Sequence, residues 1–132
     1  MGPRSLLPLV VLSLVSCGDK GPDKDKPASD SDQPKIQHPW DWVPNDPALV
    51  SGREVYLAEC ALCHNEGEEG APALTRKDEW ATRIATGEEA LIGRAIKGFI
   101  GEDGEMPARG GSDYLTDDQV ASAVRYMIAT PK

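Results

Sequence analysis

Cys60-Ala61-Leu62-Cys63-His64 sets two thiols and an imidazole within one short stretch. Thiols three residues apart at the end of a helix can reach both vinyl groups of a single porphyrin as thioethers. The adjacent His64 is then placed to give a ring nitrogen to the iron from the same side. This is the spacing that attaches c-type haem. Two other chemistries use the same residue types. A zinc site needs four ligands, usually from two Cys- or His-rich halves, and His38 is the only other histidine. A thioredoxin-like dithiol needs a strand before the motif and a sheet to carry it, and no segment here signals either. The motif therefore points to one covalent haem c, bound through Cys60 and Cys63 with His64 on the iron.

Six-coordinate iron needs a further ligand. Of the three methionines, Met1 leaves with the N-terminal signal described below. Met127 sits on the apolar stripe of the last helix, where methionine ordinarily fills core. Met106 lies in the loop Gly101-Glu102-Asp103-Gly104-Glu105-Met106-Pro107, which has no packing stripe to explain an apolar residue. Pro107 restricts Met106 to extended backbone. Met106 is the expected second axial ligand, and His38 is the alternative.

The elements that must position these groups are helical. Asp46-Pro47 gives an N-cap followed by proline in the first turn, and Leu49, Val50, Tyr56 and Leu57 recur at helical spacing up to Cys60. Asp78 to Thr86 predicts a short helix stopped by Gly87. Glu88 to Lys97 predicts another, with Leu91, Ile92, Ala95 and Ile96 inward and Gly98 as its stop. Thr116 with Gln119 forms a capping box ahead of the stripe Val120, Ala123, Val124, Met127 and Ile128, ended by Pro131. No segment alternates with period two, so little β-sheet is expected. The expected fold is all-α, about four short helices around one haem. With 5% aromatic residues and one Phe, such a domain has a thin core and needs a staple.

Upstream, Arg4 and the apolar run Leu6 to Val15 have the size of a signal-peptide core, far short of the roughly 20 residues that span a membrane. Leu14-Val15-Ser16-Cys17 resembles the lipobox of bacterial lipoproteins, which implies cleavage before Cys17 and lipid on that residue. Two or more acyl chains would anchor it firmly. The same segment also fits ordinary secretion with Cys17 left free; either way the chain is exported. Three domains follow: a signal peptide at 1–16, a lipidated cysteine and tether at 17–46, and the haem domain at 47–132. The tether is rich in Asp, Lys, Pro and Ser and cannot bury a core. As a flexible coil it reaches roughly 30 Å. Trp40 and Trp42 are out of place in such a segment and are expected to pack on the domain, contact with a partner or with the bilayer being the other readings.

Taken together these residues resemble the class I cytochromes c, and more narrowly the small bacterial cytochrome c-five group. The likeness covers residues 47–132. It rests on the haem motif at 60–64, Gly70-Ala71-Pro72, Trp80 with Arg83, Met106-Pro107-Ala108-Arg109-Gly110-Gly111, and the run from Asp117 to Met127. The resemblance implies that the first and last helices cross, with Gly52 and Tyr56 meeting Tyr126. It implies that the Pro72 carbonyl accepts a hydrogen bond from His64, fixing the ring and raising its basicity. It also makes Trp80, Arg83 and Arg109 candidates to lie near the haem propionates, with core packing and solvated charge as their plain alternatives. Some relatives carry an extra cysteine pair after the Gly-Gly; Ser112-Asp113-Tyr114-Leu115 has none, so the haem is the only staple.

The charge excludes one class of partner. The chain has 14 Lys or Arg against 22 Asp or Glu, a formal −8, which rules against nucleic acid. From residue 47 onward nine Lys or Arg face fifteen Asp or Glu, a formal −6. A monomer with such a face is expected to exchange electrons with redox proteins that present a basic one. A dedicated subunit of a membrane dehydrogenase or oxidase, and a haem enzyme or sensor whose methionine dissociates, are the alternatives to a free carrier. No catalytic residue is expected.

Overall fold

Asp46 opens the first helix as its sequence requires. Its Oδ1 accepts from the Ala48 amide at 2.9 Å, and Pro47 occupies the first turn. The computed structural model describes Gly2 and residues 36–132, and residues 36–132 fall within one compact unit. Apart from Gly2, the expected signal peptide at 1–16, Cys17 and the expected tether as far as residue 35 lie outside the described residues.

Helix α1 runs Pro47–Val55, passes through a π-helical turn at Tyr56–Cys60, and continues as α2, Ala61–His64. The helical run thus extends past the Cys60 end expected from sequence, because no Gly or Pro interrupts it before Gly67. The π turn inserts one residue, which rotates the motif by about 100° relative to the α1 stripe. Helix α3 spans Lys77–Ile84 and α4 Glu88–Lys97, with Gly98 at φ 84° closing the latter. The expected end of α3 at Thr86 comes early: the Thr86 hydroxyl donates to the Arg83 carbonyl at 2.7 Å and turns the chain toward Gly87. Helix α5 covers Asp117–Ala129 behind the Thr116–Gln119 capping box. Between α4 and α5, β1 (Phe99–Ile100) pairs antiparallel with β2 (Glu105–Met106). This two-residue ladder is too short to leave a period-two signal. The fold is the expected all-α one, with four α-helical stretches and one small hairpin among the described residues.

Helices α1 and α5 cross at Gly52. A Cβ there would overlap the Ser122 carbonyl oxygen and lie 3.2 Å from Tyr126 Cβ, so only glycine lets the two backbones approach. Gly52→Ala is expected to cost about 2–3 kcal/mol, read as a lower urea midpoint at unchanged slope. Tyr56, fully buried, tilts against Tyr126 at 5.3 Å between centroids.

The packed unit reaches back beyond Pro47. Trp42 stacks on Tyr126 with centroids 5.8 Å apart. The Trp40 and Trp42 carbonyls each accept from the Tyr126 hydroxyl, at 3.3 and 3.2 Å, and from the Arg53 guanidinium, at 3.2 and 3.1 Å. The tryptophans therefore strap the segment just before α1 onto the α1–α5 crossing. Among the described residues no helix is long and apolar enough to cross a membrane.

The core is split. One cluster gathers Tyr56, Leu74, Trp80, Ala123, Tyr126 and Met127. The other gathers Ile92, Ala95, Leu115, Val120, Ala121 and Val124. Between them lies the cleft that holds the site.

Candidate haem site

His64 closes α2 and is 8% exposed. Its Nδ1 lies 3.1 Å from the Pro72 carbonyl oxygen. A carbonyl only accepts, so Nδ1 carries the proton and donates, and Nε2 is the nitrogen left for a metal. The returning loop is tied to the same residue: the Leu74 amide donates to the His64 carbonyl at 2.7 Å. The Tyr56 hydroxyl donates to Asn65 Oδ1 at 2.5 Å. Burial pushes the imidazole pKa below its ordinary value; the Pro72 bond opposes that and the Arg83 charge adds to it.

Cys60, His64 and Met106 line one cleft. Its remaining walls come mainly from α1, α4 and α5, through Val55, Ala95, Val120, Ala123 and Val124. Cys63 is half-buried and outside that lining, and both cysteines are free of disulfide. Burial, then the charges of Glu59 and Cys63, push the Cys60 thiol up to about 11. A thiol-exchange nucleophile needs a lowered pKa, so the environment runs against a redox dithiol. Among the described residues no group of three or more His, Cys, Asp or Glu side chains is gathered to hold a metal ion. Two thiols, an imidazole with one free nitrogen, a thioether and apolar walls are the donor set that suits a covalent haem.

Met106 sits on β2, opposite Phe99 in the ladder and half-buried against the second cluster. Met127 also touches the cleft but is buried in the first cluster. His38 stacks on Trp40 at 4.7 Å between centroids and is not among the cleft residues. Arg109 lines the cleft in a left-handed conformation, φ 55°. Its guanidinium bonds the Leu115 carbonyl and lies 2.6 Å from Asp117. Arg83 donates to the Glu79 carbonyl at 3.0 Å. Trp80 is buried, its indole N–H spent on the Ala73 carbonyl at 2.9 Å. One link was not anticipated from sequence. The Ser112 hydroxyl donates to Glu59 at 2.5 Å, and that bond, followed by one from Tyr114, holds the Glu59 carboxyl below its usual range. It ties the loop after Gly111 to the turn before Cys60. Contacts made across such sequence separation have no local signature.

The chain is similar to several known proteins. The family model described as cytochrome c oxidase, cbb3-type, subunit III matches residues 47–127. Cytochrome c-555 of Chlorobaculum tepidum is 48% identical over 83 residues, covering 63% of this chain and 77% of that protein. Cytochrome c-555 of Chlorobaculum thiosulfatiphilum is 45% identical over 83 residues, covering 63% and 96%. Among solved structures, a chain in the crystal structure of the electron transfer complex of nitrite reductase with cytochrome c aligns with a TM-score of 0.53. Its identity is 37%, over 63% of this chain and 93% of that one. A helical fold, a covalent c-type haem and electron transfer in place of catalysis follow together, and the chain belongs to the small class I c-type cytochromes.

Proposed function

We propose that this cytochrome is a lipid-anchored carrier on the periplasmic side of a bacterial membrane, moving single electrons through a haem whose iron is held by His64 and Met106. The observation that carries the reading is an apolar cleft that brings Met106, from β2, to the same place as Cys60 and His64 of the haem motif. The haem, when bound, supplies a reversible one-electron couple. The chain supplies the conditions for it. The Nδ1 bond to Pro72 fixes the His64 ring and raises its basicity. A methionine thioether as partner ligand raises the reduction potential. With both side chains as ligands there is no open position for oxygen, peroxide or substrate. Of the groups proposed near the propionates, Arg109 lines the cleft, Arg83 acts electrostatically on His64, and Trp80 offers its ring, since its N–H is already bonded. The test is the optical spectrum of the matured protein. The weak long-wavelength ferric band of methionine ligation and indifference of the ferrous form to carbon monoxide are expected. A high-spin spectrum that shifts readily with carbon monoxide would favour the enzyme or sensor reading.

Lipid on Cys17 and the tether that follows would let a monomeric domain range over the membrane surface. Cys17→Ala is expected to move the protein from the membrane to the soluble fraction; membrane retention of that variant contradicts the anchor. The formal −6 of the domain would steer a redox partner with a basic face, as a small cytochrome must dock on its enzyme. The association rate should then fall as salt is added, and a rate flat in ionic strength removes the steering. The family description favours one second reading, a fixed subunit of an oxidase. Co-purification with a larger membrane complex would establish it over the free carrier. The narrower likeness to the cytochrome c-five group rests on the haem motif, Gly70-Ala71-Pro72, Trp80 with Arg83, and the runs Met106 to Gly111 and Asp117 to Met127.

A further inference from the structure

The turn after α2 and the tip of the β1–β2 hairpin meet backbone to backbone. The turn after α2 holds Gly67, Glu69 and Gly70 at φ of 88°, 52° and 81°. Among the described residues, Glu69 and Arg109 are the two non-glycine residues with positive φ, a conformation that strains an L-residue. The turn sets Glu69-Gly70 against Asp103-Gly104 at the tip of the β1–β2 hairpin. A Cβ on Gly70 would overlap the Asp103 carbonyl oxygen and stand 3.0 Å from the Gly104 nitrogen. A Cβ on Gly104 would overlap the Glu69 carbonyl oxygen and stand 3.2 Å from its carbon. The approach is reciprocal, and neither position has room for a side chain. Gly104 does not have a positive φ, so its missing side chain serves the approach alone.

Each side of this contact is fastened to one of the two ligands. The turn is bonded back to the motif through the Gly67 amide and the Cys63 carbonyl at 3.0 Å. The hairpin tip is closed by the Gly101 amide on the Gly104 carbonyl at 2.8 Å, and its strands pair Ile100 with Glu105 and Phe99 with Met106. We propose that Glu69-Gly70 and Asp103-Gly104 form a clasp that keeps the hairpin, and with it Met106, at the separation from His64 that ligation of one iron by both requires. Gly104 is then a positioning residue for the methionine ligand. The proposal rests on the His64/Met106 reading above.

A methyl group on Gly104 pushes the tip away from the turn and β2 moves with it. The fraction of molecules with Met106 released rises, and an added ligand that competes for the same position binds tighter in proportion. The experiment uses the matured holoprotein and titrates imidazole, comparing Gly104→Ala with Gly101→Ala. Gly101 is on the same hairpin, but a Cβ there meets only the Phe99 ring edge at 3.3 Å and the Gly104 oxygen at 3.5 Å. Gly104→Ala is expected to bind imidazole about tenfold tighter than the parent or more, with a weaker methionine band and a lower midpoint potential. Gly101→Ala should stay within about twofold. Equal affinity in Gly104→Ala and the parent, or an equal gain in both variants, overturns the clasp. If the parent itself lacks the methionine band, the ligand reading fails and the clasp with it. Should Gly104→Ala not mature, amide exchange in the parent decides. Saturating imidazole should speed exchange in residues 67–71 as well as 101–106, and acceleration confined to 101–106 overturns the proposal.

Discussion

Met106→Ala is expected to abolish the long-wavelength ferric band, to open the ferrous protein to carbon monoxide, and to lower the midpoint potential by on the order of 0.1 V or more, within the roughly 0.8 V that axial ligands span. The reason is chemical. A thioether favours ferrous iron, and the water or hydroxide that replaces it does not. Met127→Leu is the matching control, because Met127 also touches the cleft yet is 5% exposed and packed with Tyr56, Leu74 and Trp80. Leucine keeps that volume, so the cost should stay under about 1.5 kcal/mol with the spectrum unchanged. If Met127→Leu loses the band and Met106→Ala keeps it, the two methionines have the opposite roles. If neither loses it, His38 returns as a candidate, although its ring lies on Trp40 and away from the cleft.

The second large effect concerns the polypeptide without haem. Cys60→Ala with Cys63→Ala, or the parent made without haem attachment, is expected to lose most of its helical ellipticity. The cleft takes its lining from both core clusters: Ala123 and Met127 belong to one, Ala95, Leu115, Val120 and Val124 to the other. Each cluster has six buried side chains, three of them alanines in total. Cores this small rarely contribute more than about 3–5 kcal/mol. A covalent apolar macrocycle filling the cleft would join the clusters into one core and also restrict the unfolded chain. Far-UV circular dichroism of the apoprotein decides the matter. Native-like helix content without haem would show that the two clusters suffice, and would transfer the staple's role to contacts such as Tyr126 with the Trp40–Trp42 strap.

The sequence alone determined what depends on short spacing. The haem motif is legible because five adjacent residues specify its chemistry. The Thr116–Gln119 box and Pro47 mark helix starts because caps act within one turn, and the α4 stripe is legible because burial imposes its period on every turn. Gly52 at the crossing and the Pro72 carbonyl were anticipated through family resemblance; no local pattern reveals where a backbone carbonyl points. Tertiary structure decided the rest. The π turn at Tyr56–Cys60 lies against Tyr126, and Ser112 reaches back to Glu59. Met106 gains a strand because its hairpin tip rests on Gly70, a contact between segments more than thirty residues apart. Trp40 and Trp42 join the domain because Tyr126 and Arg53 supply donors for their carbonyls. Local sequence sets propensities and ligands, whereas the distance between two walls of a cleft is fixed by packing between distant segments, and the ligation proposed here depends on that distance.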